Sequence, residues 1–231
     1  MIKLTRLGIV LLLSLLLSGC RNGWDTSSKA VVPNTVDTNP QDWGVFSCLD
    51  NGSCSTGWSS VTNPVAGTAP VIWTFQFPNQ NSSANYITVP YQATENIEGK
   101  TFSLTFEVES NSPTYGLSDP SSYGPISLHL FLQRYGDDMS GSGVYAYYRW
   151  WCGDSGYILG SADNQIITVS CLLVSTSWSG VIGGSDSTDF QDTLDNMGRV
   201  GFTLGGSGGW GHGVYMTDGT ATFELMSATI Q

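Results

Sequence analysis

Phe102-Ser103-Leu104-Thr105-Phe106-Glu107-Val108-Glu109 alternates without a break. In an extended chain Phe102, Leu104, Phe106 and Val108 fall on one side, and Ser103, Thr105, Glu107 and Glu109 on the other. A sustained period of two marks a strand with one face on a core and one toward solvent. The same pattern recurs on both sides of this stretch. Upstream, Val71, Trp73, Phe75 and Phe77 share a face. Downstream, Ile126, Leu128, Leu130 and Leu132 form an apolar face opposite Ser127, His129, Phe131, Gln133 and Tyr135. Asp137 to Gly143 reads as a hairpin-like loop leading into a strand over Val144 to Cys152. Further strands are expected near Ile166 to Val174, Arg199 to Leu204, Val214 to Thr217 and Thr220 to Ile230. Helical periodicity extends to no more than a turn or two around Asp189 to Met197. Many strands without intervening helices predict an all-β fold, an antiparallel β-sandwich of jelly-roll type.

Composition agrees with that class. The chain is short of charged residues and rich in Gly, with abundant Ser, Thr, Tyr and Trp. These residues suit strands and turns better than helices. Its formal net charge is −11, and Lys and Arg are few and unclustered. No basic footprint for a phosphate backbone exists, so nucleic acid is excluded as a partner.

The N-terminus carries a separate signal. Lys3 and Arg6 precede a Leu-rich run that ends Leu17-Ser18-Gly19-Cys20. The apolar run is too short for a comfortable permanent span, and it has the flanks of a processed export signal. It resembles a bacterial lipoprotein signal peptide closing on a lipobox. The resemblance implies cleavage before Cys20, acylation of that cysteine, and anchorage in a lipid bilayer by more than one acyl chain. Arg21, in place of an aspartate, points under the enterobacterial sorting pattern to the outer membrane of a bacterial envelope. Loss of residues 1–19 takes away two basic residues and no acidic one, leaving a net charge of −13. Residues 20–40 carry no hydrophobic period and read as the lipidated N-terminus and a flexible tether; residues 41–231 form the domain.

Four further cysteines, Cys48, Cys54, Cys152 and Cys171, fit two disulfides in an exported chain. Proximity favours Cys48 with Cys54 and Cys152 with Cys171, and the other two pairings stay open. Their spacing matches no usual zinc pattern.

Three closing segments, Val200-Gly201-Phe202-Thr203-Leu204-Gly205-Gly206, Gly211-His212-Gly213-Val214 and Gly219-Thr220-Ala221-Thr222-Phe223-Glu224-Leu225, look like the last strands of carbohydrate-binding-module jelly rolls. The likeness covers roughly the final third of the chain and rests on pattern, without a diagnostic motif. It implies a sandwich whose ligand lies on a concave sheet face or at the loops joining the sheets.

The richest constellation is Val144-Tyr145-Ala146-Tyr147-Tyr148-Arg149-Trp150-Trp151-Cys152. As a strand it puts Tyr145, Tyr147, Arg149 and Trp151 on one face, beside His129, Gln133 and Tyr135 of the preceding strand. Sugars stack their C–H faces on aromatic rings and need polar partners for their hydroxyls, which such a surface supplies. These seven residues are the candidate carbohydrate-binding set. The competing reading is that loops or the other sheet cover this face and the aromatics are core. The eight Trp are more than a core usually requires, which keeps the first reading in play. Trp210, in a run of glycines, is either presented to solvent or folded back onto the sandwich.

Catalytic patterns are sparse. Glu107 and Glu109 share a strand face and could mimic a glycosidase pair, but two solvated glutamates satisfy the same alternation. No nucleophile elbow, zinc helix or phosphate loop is present. No cofactor is implied. Asp186, Asp189, Asp192 and Asp195 could supply a structural calcium, or simply the solvated face of a helix. The reading is an envelope-anchored protein that binds a carbohydrate without breaking it. The alternatives are a structural or adhesive surface protein and, last, a polysaccharide hydrolase or lyase.

Overall fold

The structure is a computed structural model, describing residues 36–47, 64–79, 83–119, 121–137, 139, 144–153, 156–181 and 186–231. The signal segment, Cys20, Cys48, Cys54 and Trp58 lie outside these described residues. The strands are β1 (Gly44–Phe46), β2 (Val65–Ala66), β3 (Trp73–Gln76), β4 (Tyr86–Pro90), β5 (Thr101–Leu117) and β6 (Tyr123–Arg134). After them come β7 (Arg149–Cys152), β8 (Tyr157–Ile158), β9 (Ile167–Leu172), β10 (Trp178–Gly180), β11 (Met197–Ser207) and β12 (Val214–Ile230). One helix, α1 (Ser187–Asp195), precedes β11.

Two antiparallel sheets face each other. Sheet I has the order β1-β4-β11-β6-β7-β10, with β8 also on β6, and sheet II the order β2-β3-β12-β5-β9. Sequence neighbours are rarely sheet neighbours, so the chain crosses repeatedly between layers. The result is an all-β sandwich of jelly-roll type.

The alternation read from sequence builds the core. Sheet II contributes Trp73, Phe75, Phe102, Leu104, Phe106, Val108, Phe223 and Leu225, all buried. Sheet I answers with Ile87, Val89, Leu128, Leu130, Leu132, Val200, Phe202 and Leu204. The rings interlock across the gap: Phe223 stacks on Phe202 at 4.6 Å and on Phe106 at 4.9 Å between centroids. Each such side chain contributes about 1.5–3 kcal/mol by leaving water. Val36 is also part of this core, and the Trp43 indole N–H donates to the Asp37 carbonyl at 2.8 Å. The packed body therefore takes in residues ahead of the boundary at 40 that composition suggested.

A disulfide joins Cys152 of β7 to Cys171 of β9, and so links sheet I to sheet II. This is the pairing that sequence proximity favoured for these two cysteines.

Two segments differ from expectation. Val144 to Cys152 is not a continuous strand: Tyr145–Tyr147 forms a 3-10 turn, and pairing with β6 begins at Arg149. The Arg149 guanidinium lies 5.3 Å from the Tyr145 ring centroid, and Arg134 lies 4.9 Å from that of Tyr148. These cation–π contacts favour folding the tyrosines back over the arginines rather than extending them along a sheet. The stretches near Val214 to Thr217 and Thr220 to Ile230 are a single strand, β12, with register shifts against β5 at Asp218.

Candidate functional site

The outward side of sheet I is where the candidate residues lie. The register places Gln133 opposite Arg149 and Phe131 opposite Trp151, as the shared face required. On the other flank of β6, His129 pairs with Thr203, which pairs with Tyr86. His129, Phe131, Gln133, Arg149 and Trp151 are thus brought together, but all are buried. Tyr145 and Tyr147 sit in the 3-10 turn, off the strand face. Tyr135 and Tyr147 are exposed, at 69% and 49%.

Burial gives the polar members local duties. Arg149 makes a two-point ion pair with Asp137, Nε to Oδ2 at 2.5 Å and Nη2 to Oδ1 at 2.6 Å, with both side chains almost fully buried. Gln133 Nε2 donates to the same carboxylate at 2.9 Å. Positive and negative charge cancel there, beneath the surface. His129 Nδ1 lies 3.0 Å from the Cys152 carbonyl and Nε2 lies 2.9 Å from Ser127 Oγ. A carbonyl only accepts, so Nδ1 carries the proton, and in the neutral ring Nε2 accepts from the serine hydroxyl. Burial holds the His129 pKa below its usual value, offset in part by that carbonyl.

Above this layer runs a groove of about 330 Å³. Its walls include Tyr86, Trp151, Ser179, Val181, Trp210 and His212, together with the glycine backbone of the loop after β11. Trp210 folds back onto the sandwich, its ring 4.3 Å from that of His129 and 14° from parallel. One indole face therefore rests on His129, and the half-buried Trp210 also lines the groove beside Trp151. The buried Thr203 hydroxyl accepts from Trp151 Nε1 at 3.0 Å and donates to the Trp210 carbonyl at 2.7 Å, so one side chain positions both tryptophans. Asn85 Nδ2 donates to the Gly211 carbonyl at 3.2 Å, fastening the loop from below. Gly205 is required for this approach, because a Cβ there would come 2.1 Å from the Gly209 carbonyl oxygen.

The groove is largely apolar and uncharged along most of its length. No Lys, Arg, Asp or Glu is among its described lining residues. Burial pushes the Tyr86 hydroxyl up to about 12, so it remains a neutral hydrogen-bonding group. His212 stands at the rim with Nδ1 2.8 Å from Asp119 Oδ2. Ser121, through its hydroxyl and N–H, holds the Asp119 carboxyl below the usual range, with a smaller contribution from His212.

Glu107 and Glu109 lie elsewhere, on the outer face of sheet II, where Glu224 pairs directly with Glu107. Of the aspartates near α1, Asp186 caps the helix by accepting from Thr188 N at 2.8 Å and Asp189 N at 3.2 Å. Asp192 pairs with Arg134 at 2.7 Å, and Asp195 accepts from Gln191. Among the described residues no three His, Cys, Asp or Glu side chains are arranged to hold a metal.

Of the seven candidate residues only Trp151 reaches the groove. Tyr86 and Thr203 were missed because they come from strands distant in sequence, and local periodicity does not encode which strand becomes a neighbour.

No protein-family model matches the chain, and no curated protein sequence matches it. Two solved structures are similar over 85% of it. One is the xylan-binding module CBM15, at a TM-score of 0.40 and 13% identity, with 97% of that chain covered. The other is Xylanase10C from Cellvibrio japonicus in complex with xylopentaose, at a TM-score of 0.39 and 14% identity, with 28% of that chain covered.

Proposed function

We propose that this protein binds a neutral carbohydrate in the groove on sheet I, without breaking it, while acylated Cys20 anchors it in a bacterial outer membrane. The observation that carries the binding reading is Trp210. Its indole is backed on one face by His129, and the residue lines a groove without charged side chains among its described lining. A pyranose offers a flat C–H face to such a ring and hydroxyls to Tyr86, Ser179 and His212. An anionic sugar would meet no free cation among the described lining residues, so the fit is to neutral glycans.

The test is a glycan array probed with the full chain and with Trp210→Ala. Selective binding to neutral glycans is expected, weakened at least about thirtyfold by the substitution, as for a central aromatic contact worth 2 kcal/mol or more. Binding unchanged in Trp210→Ala would remove the groove as the site. Absence of any glycan binding by the folded protein would remove the carbohydrate reading altogether. The support for the anchor is the Leu17-Ser18-Gly19-Cys20 segment. Labelled palmitate is expected to enter the wild type but not Cys20→Ala, which should also leave the membrane fraction.

A further inference from the structure

A second aromatic lies against the loop that carries Trp210. Tyr123, the first residue of β6, pairs with Ser207 and is 67% exposed. Its ring lies against Gly208, where an added Cβ would come 3.3 Å from Cε1 and where φ is +83°. Ser207, Gly208 and Gly209 line the groove, so the ring adjoins residues of the groove wall. The exposed ring therefore stands beside the same loop residues that line the groove, where a bound chain leaving the groove could reach it.

Polar groups occupy the turn just ahead of Tyr123. Asp119 Oδ1 accepts from Ser121 N at 2.7 Å and from its hydroxyl at 2.6 Å, while Oδ2 faces His212 Nδ1 at 2.8 Å. Ser122 Oγ is 3.4 Å from the same ring nitrogen. These contacts tie the turn ahead of Tyr123 to the loop that bears Trp210. They also leave a carboxylate and an imidazole partly open, with spare capacity for hydroxyl groups.

From this placement we infer that Tyr123, together with the linked Asp119 and His212 of the neighbouring turn and loop, is a second sugar subsite continuous with the groove. The ligand is then an internal stretch of a neutral polysaccharide chain, lying across the loop from Trp210 to Tyr123, and not a single terminal sugar. This rests on the carbohydrate reading above and specifies the length of chain that the site takes.

The experiment is calorimetric titration of the full chain and of Tyr123→Ala with xylo-, cello- and manno-oligosaccharides, each from the disaccharide to the hexasaccharide. In the wild type, affinity is expected to climb with length and to rise by about threefold to tenfold once the chain reaches the second ring, the scale of one aromatic contact. Tyr123→Ala should bind the short members as the wild type does and lack the late rise, and Tyr123→Phe should restore most of it. The exposed ring supports no core residue, so the variant's melting curve should match the wild type. Affinity that levels off at the disaccharide, or a late rise that survives in Tyr123→Ala, overturns the subsite and leaves the groove reading intact. Equal losses at every length also overturn it, because Tyr123 would then act only by holding the loop. Failure of the wild type to bind any of the series overturns both.

Discussion

His129 is the residue on which the platform rests, and its protonation state follows from its neighbours. The Cys152 carbonyl, the Ser127 hydroxyl and the Trp210 ring face it, and burial keeps its pKa below the ordinary value near about 6.5. A histidine with a depressed folded-state pKa binds its proton more tightly when the chain is unfolded. Its contribution to stability is therefore complete above about pH 6.5 and is lost as pH falls toward the folded-state pKa. Thermal melts of the wild type are expected to drop between about pH 7 and about pH 5, and His129→Phe, which keeps a ring under Trp210, should lack that step. An identical pH profile in the two proteins would refute the assignment. At this scale the sequence identified a real face: His129, Gln133, Arg149 and Trp151 do share one side of adjacent strands. What it could not supply was the covering. Nothing local marks Asp137 as the partner that neutralises Arg149, or Trp210 as the ring that closes over His129, because both meetings depend on how loops return to the sheet.

Among the elements, the glycine-rich loop after β11 decides whether a groove exists. Gly205→Ala must displace backbone, since its Cβ would also lie 2.8 Å from the Trp210 carbonyl carbon. Binding is expected to fall as far as in Trp210→Ala, with the sandwich still folded by circular dichroism; retained binding would show that the loop does not position the platform. The β5 and β12 pair makes a different prediction. Glu224 stands directly opposite Glu107, with Glu109 two pairs along on the same face. Its carboxyl is held above the usual range, first by burial and then by Glu109 and Glu107. A raised carboxyl pKa means that the folded chain takes up the proton more readily, so the ionised group opposes folding at neutral pH and is relieved in acid. Glu224→Gln should raise the melting temperature at neutral pH, with the gain shrinking as pH falls through the carboxylate range. A gain independent of pH would point to packing instead. Strands with one apolar face, such as β5 and β6, were legible because burial enforces alternation. The stretch before β7 was not, because its tyrosines, Val144 and Ala146 satisfy a strand pattern while the arginines beneath draw Tyr145 and Tyr148 out of it.

For the whole molecule, the question is what keeps two sheets with few sequential neighbours in register. Apolar faces hold them together, but such contacts are non-directional and do not by themselves fix how one layer lies over the other. The Cys152–Cys171 bond supplies a fixed point, joining β7, which carries Trp151 and the carbonyl that orients His129, to β9 at the edge of sheet II. A non-reducing peptide map should recover those two cysteines linked. The bond closes a loop with a sequence separation of 19 residues. Chain entropy then assigns it about 3 kcal/mol. For a domain of this size that corresponds to a melting temperature lower by roughly 6–12 °C in the Cys152→Ala, Cys171→Ala double variant. Because β7 stays paired to β6 through Phe131 and Trp151, the groove should still bind well below the new melting point. An unchanged melting temperature would mean that the core alone fixes the two layers. A variant that melts as expected but has lost binding even when cold would show that the bond also holds the His129 and Trp210 stack in place.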